Sequence, residues 1–264
     1  MPGRQQVVAH RGASEDEAEH TLAAYRRAID DGADALECDV RMTRDGVLVC
    51  VHDRRVDRTS DGRCVVSTLE LADLAELDFG SWHSGEAPDT DHRQVLTLEK
   101  LIETVVDCGR HVELAIETKH PTRYAGLVEL TLVDLLARFG LTGPMPDGRW
   151  TTRVMSFASS SLRRVHSLAP GLPTVYLMER VPLRLRDGDL PGATTAAGPS
   201  LRALRALPSY VDRVHERGHS VHVWTVDDDA DVDYVLGLGV DVIITNRPAA
   251  VRRIVDARDV SSTA

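Results

Sequence analysis

The stretch ALECDVRMTRDGVLVCVHD, residues 35 to 53, places Glu37 and Asp39 two positions apart inside an apolar run and closes a second apolar run on His52-Asp53. In a strand the side chains alternate faces, so Glu37 and Asp39 point the same way, about 7 Å apart, while Leu36, Cys38 and Val40 take the other face. A strand apolar on its remaining positions fits a parallel sheet covered on both sides. Two acids facing inward at its C-terminal end are costly unless a cation compensates them.

Outward from this stretch, apolar runs alternate with amphipathic ones along the chain. QVVAH (6–10) reads as a strand, TLAAYRRAIDDG (21–32) as a helix starting near Thr21 and stopping at Gly32, and ALECDV as the next strand. LTLEKLIETVVDCG is a helix, HVELAIE a strand, LVELTLVDLLARFG a helix, TTRVMSF a strand, SSLRRVHSLAPG a helix and LPTVYLM a strand. LRALRALPSYVDRVHERG is helical with a break at Pro208; SVHVWTV (strand), DADVDYVLGLG (helix), VDVIIT (strand) and PAAVRRIVDA (helix) complete the chain. Counting GATTAA (192–197) as a weak strand gives about eight strand-helix units, the signature of an α/β fold of the (β/α)8 TIM-barrel type. TRDG reads as a turn before the strand-like VLVCV, followed by a Gly-, Asp- and His-rich stretch. Residues 1–264 are thus expected to form one barrel domain, with a small insertion after the second strand at about 41–96.

The 264 residues carry a formal net charge of −10, which argues against nucleic acid or an anionic membrane as partner. With 42% hydrophobic and 27% charged residues, the composition is that of a globular protein. No apolar run reaches the roughly 18 residues of a membrane helix, so no stable membrane insertion is expected. MPGRQQVVAHRG enters a strand almost at once and leaves no room for a signal peptide. The expected location is cytoplasmic. Cys38, Cys50, Cys64 and Cys108 form no CxxC pair and read as small hydrophobes rather than redox centres.

The ends of the strands carry the chemistry. HVELAIETK (111–119) places Glu117 and Lys119 two apart at the end of the third barrel strand, the first strand ends in His10-Arg11, and the excursion strand ends in His52-Asp53. In a barrel of this kind all these ends share the rim that forms active sites. Alone, each group has a structural explanation: a satisfied histidine, an edge-strand acid, a capping Asp53. Their coincidence at strand ends points to a shared site. All-oxygen ligands suit hard Mg2+ or Ca2+, and Arg11 and Lys119 beside the cation suit a phosphate.

AHRGAS, the E-x-T at 19–21, ALECDVRMTRDGVLVCVHDRRVDRT, LAIETK, MSF, VWTV and VDVIITNRP together resemble the glycerophosphodiester phosphodiesterase family, in order and spacing over nearly the whole chain. The resemblance implies a TIM-barrel hydrolase that cleaves glycerophosphodiesters, its small-molecule substrates, to glycerol 3-phosphate and an alcohol. Carried over position by position, it implies His10 and His52 as the catalytic acid/base pair, and Glu37, Asp39 and Glu117 as ligands of one divalent ion, Mg2+ or Ca2+ with Mn2+ as a third candidate. Arg11 and Lys119 match its phosphate contacts, Trp224 its rim tryptophan near the substrate, and Glu19 and Thr21 its Glu-Asn-Thr motif. His20 stands where that motif has asparagine, and Ala18 replaces the usual proline.

A phosphodiester anion repels nucleophiles, so cations must neutralise its non-bridging oxygens while one group takes a proton from the attacker and another gives one to the leaving alkoxide. The attacker is either water or the adjacent glycerol hydroxyl. Two other readings compete: a lysophospholipid or phosphoinositide phosphodiesterase of the same superfamily, and a non-catalytic metal- or polyol-phosphate-binding barrel. The polarity of GSWHSGEAPDTDHRQ (80–94) speaks against the first and the paired histidines against the second.

Overall fold

Nine strands account for the sheet: β1 (Gln6–His10), β2 (Ala35–Met42), β3 (Leu48–Cys50), β4 (Glu113–Thr118), β5 (Thr152–Ser156), β6 (Thr174–Met178), β7 (Ala196–Pro199), β8 (Ser220–Val223) and β9 (Val242–Thr245). In this computed structural model, which describes residues 4–86, 88–149 and 151–262, eight of them are parallel and closed by the pairing of β1 with both β2 and β9. The fold is the expected (β/α)8 barrel. Among the described residues no helix is long and apolar enough to cross a membrane.

Strand alternation sorts the chain into two sets. On β2, Leu36, Cys38 and Val40 are fully buried in the apolar layer between strands and helices, together with Leu101, Leu114 and Leu132. The opposite phase fills the barrel in layers. At the bottom, Arg153 reaches Glu113 (3.1 Å) and Gln6 (2.5 Å). Above lie Val8, Ala35, Ala115, Met155, Leu177 and Ile244. Two residues further along their strands come His10, Glu37, Glu117, Phe157, Glu179 and Asn246. The phase that keeps the middle apolar therefore delivers polar groups at the C-terminal rim.

The helix Leu22–Asp30 is capped as expected, the Thr21 hydroxyl accepting from Ala24 N. Gly12 (φ 89°) lies so close to this helix that a Cβ there would meet Ala24 at 2.7 Å, so the HRG turn admits no larger residue.

Between β2 and the helix Leu98–Asp107 the chain makes a hairpin and a loop-rich excursion. β3 runs antiparallel to β2, with Val40 opposite Cys50 and Met42 opposite Leu48. It rises past the rim and returns to it, so His52 arrives at the level of Asp39, whose carbonyl accepts from Val51 N (3.0 Å). Val49, Val51, Val56, Val66, Leu74 and Phe79 give the excursion its own small core.

One element differs from expectation. The seventh barrel strand is Ala196–Pro199, overlapping GATTAA only in its last two residues. The β-branched Thr194 and Thr195 carry the local strand preference, but packing prevails: a Cβ on Gly198 would come within 2.6 Å of Leu177, and the strand lies where the smallest side chains allow β6 to approach.

Candidate active site

The register of the barrel assembles the rim. His10 lies opposite Glu37 across β1 and β2, and Asp39 opposite Glu117 across β2 and β4. All three acids are buried, and one oxygen from each lies within 4.8 Å of the others. Arg11, in the left-handed region at φ 59°, turns its side chain over them. Its amide donates to Glu37 Oε2 (2.9 Å), Nε lies 3.1 Å from Asp39 Oδ2, and Nη1 is 3.1 Å from Glu19 Oε1. Lys119 Nζ lies 2.8 Å from both Asp39 Oδ1 and Glu117 Oε1.

These acids do not ionise equally. Burial, then the charge of Asp39, pushes Glu37 well above the usual carboxylate range and Glu117 up to about 8. Burial opposes the ionised form of Asp39 too, but hydrogen bonding by His20 with the charges of Lys119 and Arg11 holds it well below its usual value. Crowded buried carboxylates cannot all stay charged without more cation. Asp39 Oδ1 is itself fully buried and faces Lys119 Nζ at 2.8 Å, so the one ammonium serves both Asp39 and Glu117. Three buried oxygen donors of this kind fit a hard divalent ion.

The two histidines are held differently. Asn246 Nδ2 donates to Asp227 Oδ2 (2.7 Å), which orients its Oδ1 as an acceptor toward His10 Nδ1 at 2.7 Å. His10 therefore carries its proton on Nδ1 and keeps a lone pair on Nε2; burial, then the charge of Arg11, lowers its pKa to about 4. His52 Nδ1 faces the carboxylate of Asp53 at 2.8 Å, and Asp53 is held by Arg58 (2.6 Å), which also grips Glu19. Burial lowers His52 as well, against the opposing charge of Asp39. The His52 carbonyl accepts from Arg41 Nε (3.0 Å) and Nη2 (2.8 Å).

His10, Arg11, Glu37, His52, Glu117 and Lys119 line one cavity of about 230 Å³. Asp39 lies just beneath, and Trp224 forms part of the wall, its Nε1 donating to Gly198 O (2.7 Å) and its ring meeting Phe157 edge-on at 5.4 Å. Thr21 caps the helix Leu22–Asp30, whereas the candidate residues His10, Arg11, Glu37, Asp39, His52, Glu117, Lys119 and Trp224 meet at this rim. His20 is buried under it, Nε2 donating to Asp39 Oδ2 (2.9 Å) and Nδ1 facing Tyr25 Oη (2.8 Å).

The structure adds Phe157 and Glu179 to the cavity wall, and Asn246 and Asp227 behind His10. Phe157 and Glu179 each follow the last residue of a barrel strand, the same signal that marks Lys119.

The sequence model described as Glycerophosphoryl diester phosphodiesterase family matches residues 10–250, from the first rim histidine to the last helix. The chain belongs to this family. It is 47% identical over 250 residues, 94% of this chain and 91% of the other, to the Probable glycerophosphodiester phosphodiesterase 1 of Mycobacterium tuberculosis. It is 36% identical over 253 residues, 94% of this chain and 85% of the other, to the Glycerophosphodiester phosphodiesterase of Bacillus subtilis. The fold is also that of a glycerophosphodiester phosphodiesterase from Parabacteroides distasonis (TM-score 0.79, 24% identity, 98% of this chain and 100% of that one). An Oleispira antarctica phosphodiesterase solved with sn-glycerol-3-phosphate is similarly close (TM-score 0.78, 23% identity, 95% and 96%). The rim gathers two imidazoles, two cations and three buried acids in one place.

Proposed function

We propose that the protein hydrolyses glycerophosphodiesters to glycerol 3-phosphate and the free alcohol, with Glu37, Asp39 and Glu117 holding one divalent ion, Mg2+, Ca2+ or Mn2+. When bound, that ion supplies positive charge beside the non-bridging phosphate oxygens and lets all three carboxylates ionise. Arg11 and Lys119 add the charge that the crowded transition state requires, and the Trp224 ring faces the substrate.

The observation that carries the division of labour is the partner behind each imidazole. His10, backed by the neutral amide of Asn246 and lowered to about 4, is unprotonated at neutral pH with Nε2 free, which suits a general base. It takes the proton from the attacking water as the new P–O bond forms. His52 is lowered by burial in the free protein, but it faces the Asp53 carboxylate, and an anionic diester bound beside it adds further negative charge that favours the imidazolium, which suits the general acid. It gives its Nε2 proton to the alcohol oxygen as the old P–O bond breaks. Substrate and water leave as glycerol 3-phosphate and alcohol, and the two histidines exchange protons with solvent to reset.

The test is release of glycerol 3-phosphate from a panel of glycerophosphodiesters with and without chelator. Metal-dependent release is expected; full turnover in chelator would remove the metal from the account, and no release from any diester would remove the activity.

A further inference from the structure

A second cavity, of about 290 Å³, shares Lys119 with the rim pocket. Its walls are the top of β2, the turn Val66–Thr68 of the excursion and the loop after β4, which Tyr124 pins in place by donating to Ser67 O (2.8 Å). Arg41, Arg54, Lys119 and Arg123 line it, and no acid does. In a chain of net charge −10 such a concentration is unexpected. Arg54 and Arg123 are exposed and form no ion pair with any described residue, and Arg41 spends its Nε and Nη2 on the His52 carbonyl rather than on a carboxylate. Asp53 and Glu117 line the cleft that joins the two cavities, but Asp53 is taken by His52 and Arg58 and Glu117 by Lys119.

A diester has two arms, and the two cavities differ in what they accept. Besides the Arg11, Lys119 and histidine groups assigned above to the phosphate, the rim pocket is lined by Trp224, Phe157, Met155 and Leu177 with the carboxylate of Glu179, which suits an uncharged polyol arm better than a second anionic group. The Arg54–Arg123 cavity has the opposite sign. Lys119 lines both, so a phosphorus held at Lys119 can send one arm into each.

We propose that this second cavity is the subsite for the alcohol arm and selects an arm that carries an anionic group, a phosphate monoester or carboxylate, which Arg54 and Arg123 contact. This rests on the phosphodiesterase reading above. Guanidinium groups give bidentate hydrogen bonds to such oxyanions, and because both arginines are exposed the preference is salt-sensitive.

Three substrates share a glycerol arm and a three-carbon alcohol arm ending in phosphate, hydroxyl or ammonium. For the wild-type enzyme, kcat/KM at low ionic strength is expected to favour phosphate over hydroxyl by about tenfold, with ammonium lowest. The advantage is expected to lie mainly in KM and to shrink in 0.5 M salt, where the Debye length is only about 4 Å. In the Arg54→Gln/Arg123→Gln double variant the phosphate-to-hydroxyl ratio falls to about one to two; comparing the ratio between wild type and variant cancels differences in leaving-group basicity and in enzyme quality. No preference in the wild type, or a preference that survives the double variant, overturns the subsite. Failure to release glycerol 3-phosphate from any of the three overturns the underlying reading instead.

Discussion

Asn246 Oδ1 lies 2.7 Å from His10 Nδ1, and the amide is itself turned into that orientation by Asp227, 2.7 Å from Asn246 Nδ2. The arrangement fixes which His10 nitrogen is free without adding a charge beside the ring. Removing it with Asn246→Ala should lower kcat about 10- to 100-fold, with KM changed far less. The steady-state split is the check: a loss confined to KM would show that Asn246 serves substrate binding and not the orientation of His10.

Metal binding has a readout independent of turnover. A divalent ion that relieves the crowding of Glu37, Asp39 and Glu117 should stabilise the fold by about 2.7 kcal/mol at 100 times its Kd. Thermal melts should therefore rise with added Mg2+, Ca2+ or Mn2+ and return to baseline with chelator, and Asp39→Asn should abolish the response. A metal-induced rise that persists in Asp39→Asn would place the ion elsewhere.

His20 touches Asp39 but lies beneath the cavity, so its contribution is to hold a carboxylate rather than to transfer a proton. His20→Asn keeps a side-chain donor and should retain activity within about threefold. His20→Ala leaves Tyr25 Oη and one Asp39 oxygen without this partner and should cost about 1–3 kcal/mol of stability. A collapse of His20→Asn comparable to His10→Ala would assign it a direct part in the chemistry.

Away from the rim, Glu129 is fully buried, 3.0 Å from His120 Nε2. Burial raises its pKa, but hydrogen bonding by His120 and Ser161 outweighs this and holds it at about 2. A depressed carboxylate contributes stability that is complete above its unfolded value, about 4.3, and is lost as pH falls through the folded value. Glu129→Gln should thus be destabilised on the order of 2 kcal/mol at pH 7, the gap from wild type closing between about pH 4.5 and 2. Chemical denaturation across that range checks it; a gap independent of pH would contradict it.

Much of the rim was legible because strand ends are written in the sequence as apolar runs broken by acids. Glu37 and Asp39 stand out on β2 because Leu36, Cys38 and Val40 between and around them are apolar, and the hairpin turn TRDG announces the return of His52. What stayed hidden depends on three-dimensional approach. Asn246 looks like a loop residue until β9 is placed beside β1, and no local pattern links Arg54 to Arg123, which meet across a cavity from segments nearly seventy positions apart. β7 was misplaced for the same reason: Gly198 has weak strand preference, and only the nearness of Leu177 explains its place.

Leaving-group dependence separates the roles of His10 and His52 most directly. A general acid matters in proportion to the basicity of the departing oxygen, whereas a general base does not. His52→Ala should lose on the order of 10² to 10⁴ in rate on a natural glycerophosphodiester and far less on the nitrophenyl ester of glycerol phosphate, while His10→Ala loses heavily on both. The reverse pattern would exchange the roles, and equal losses for both variants on both substrates would contradict the division altogether.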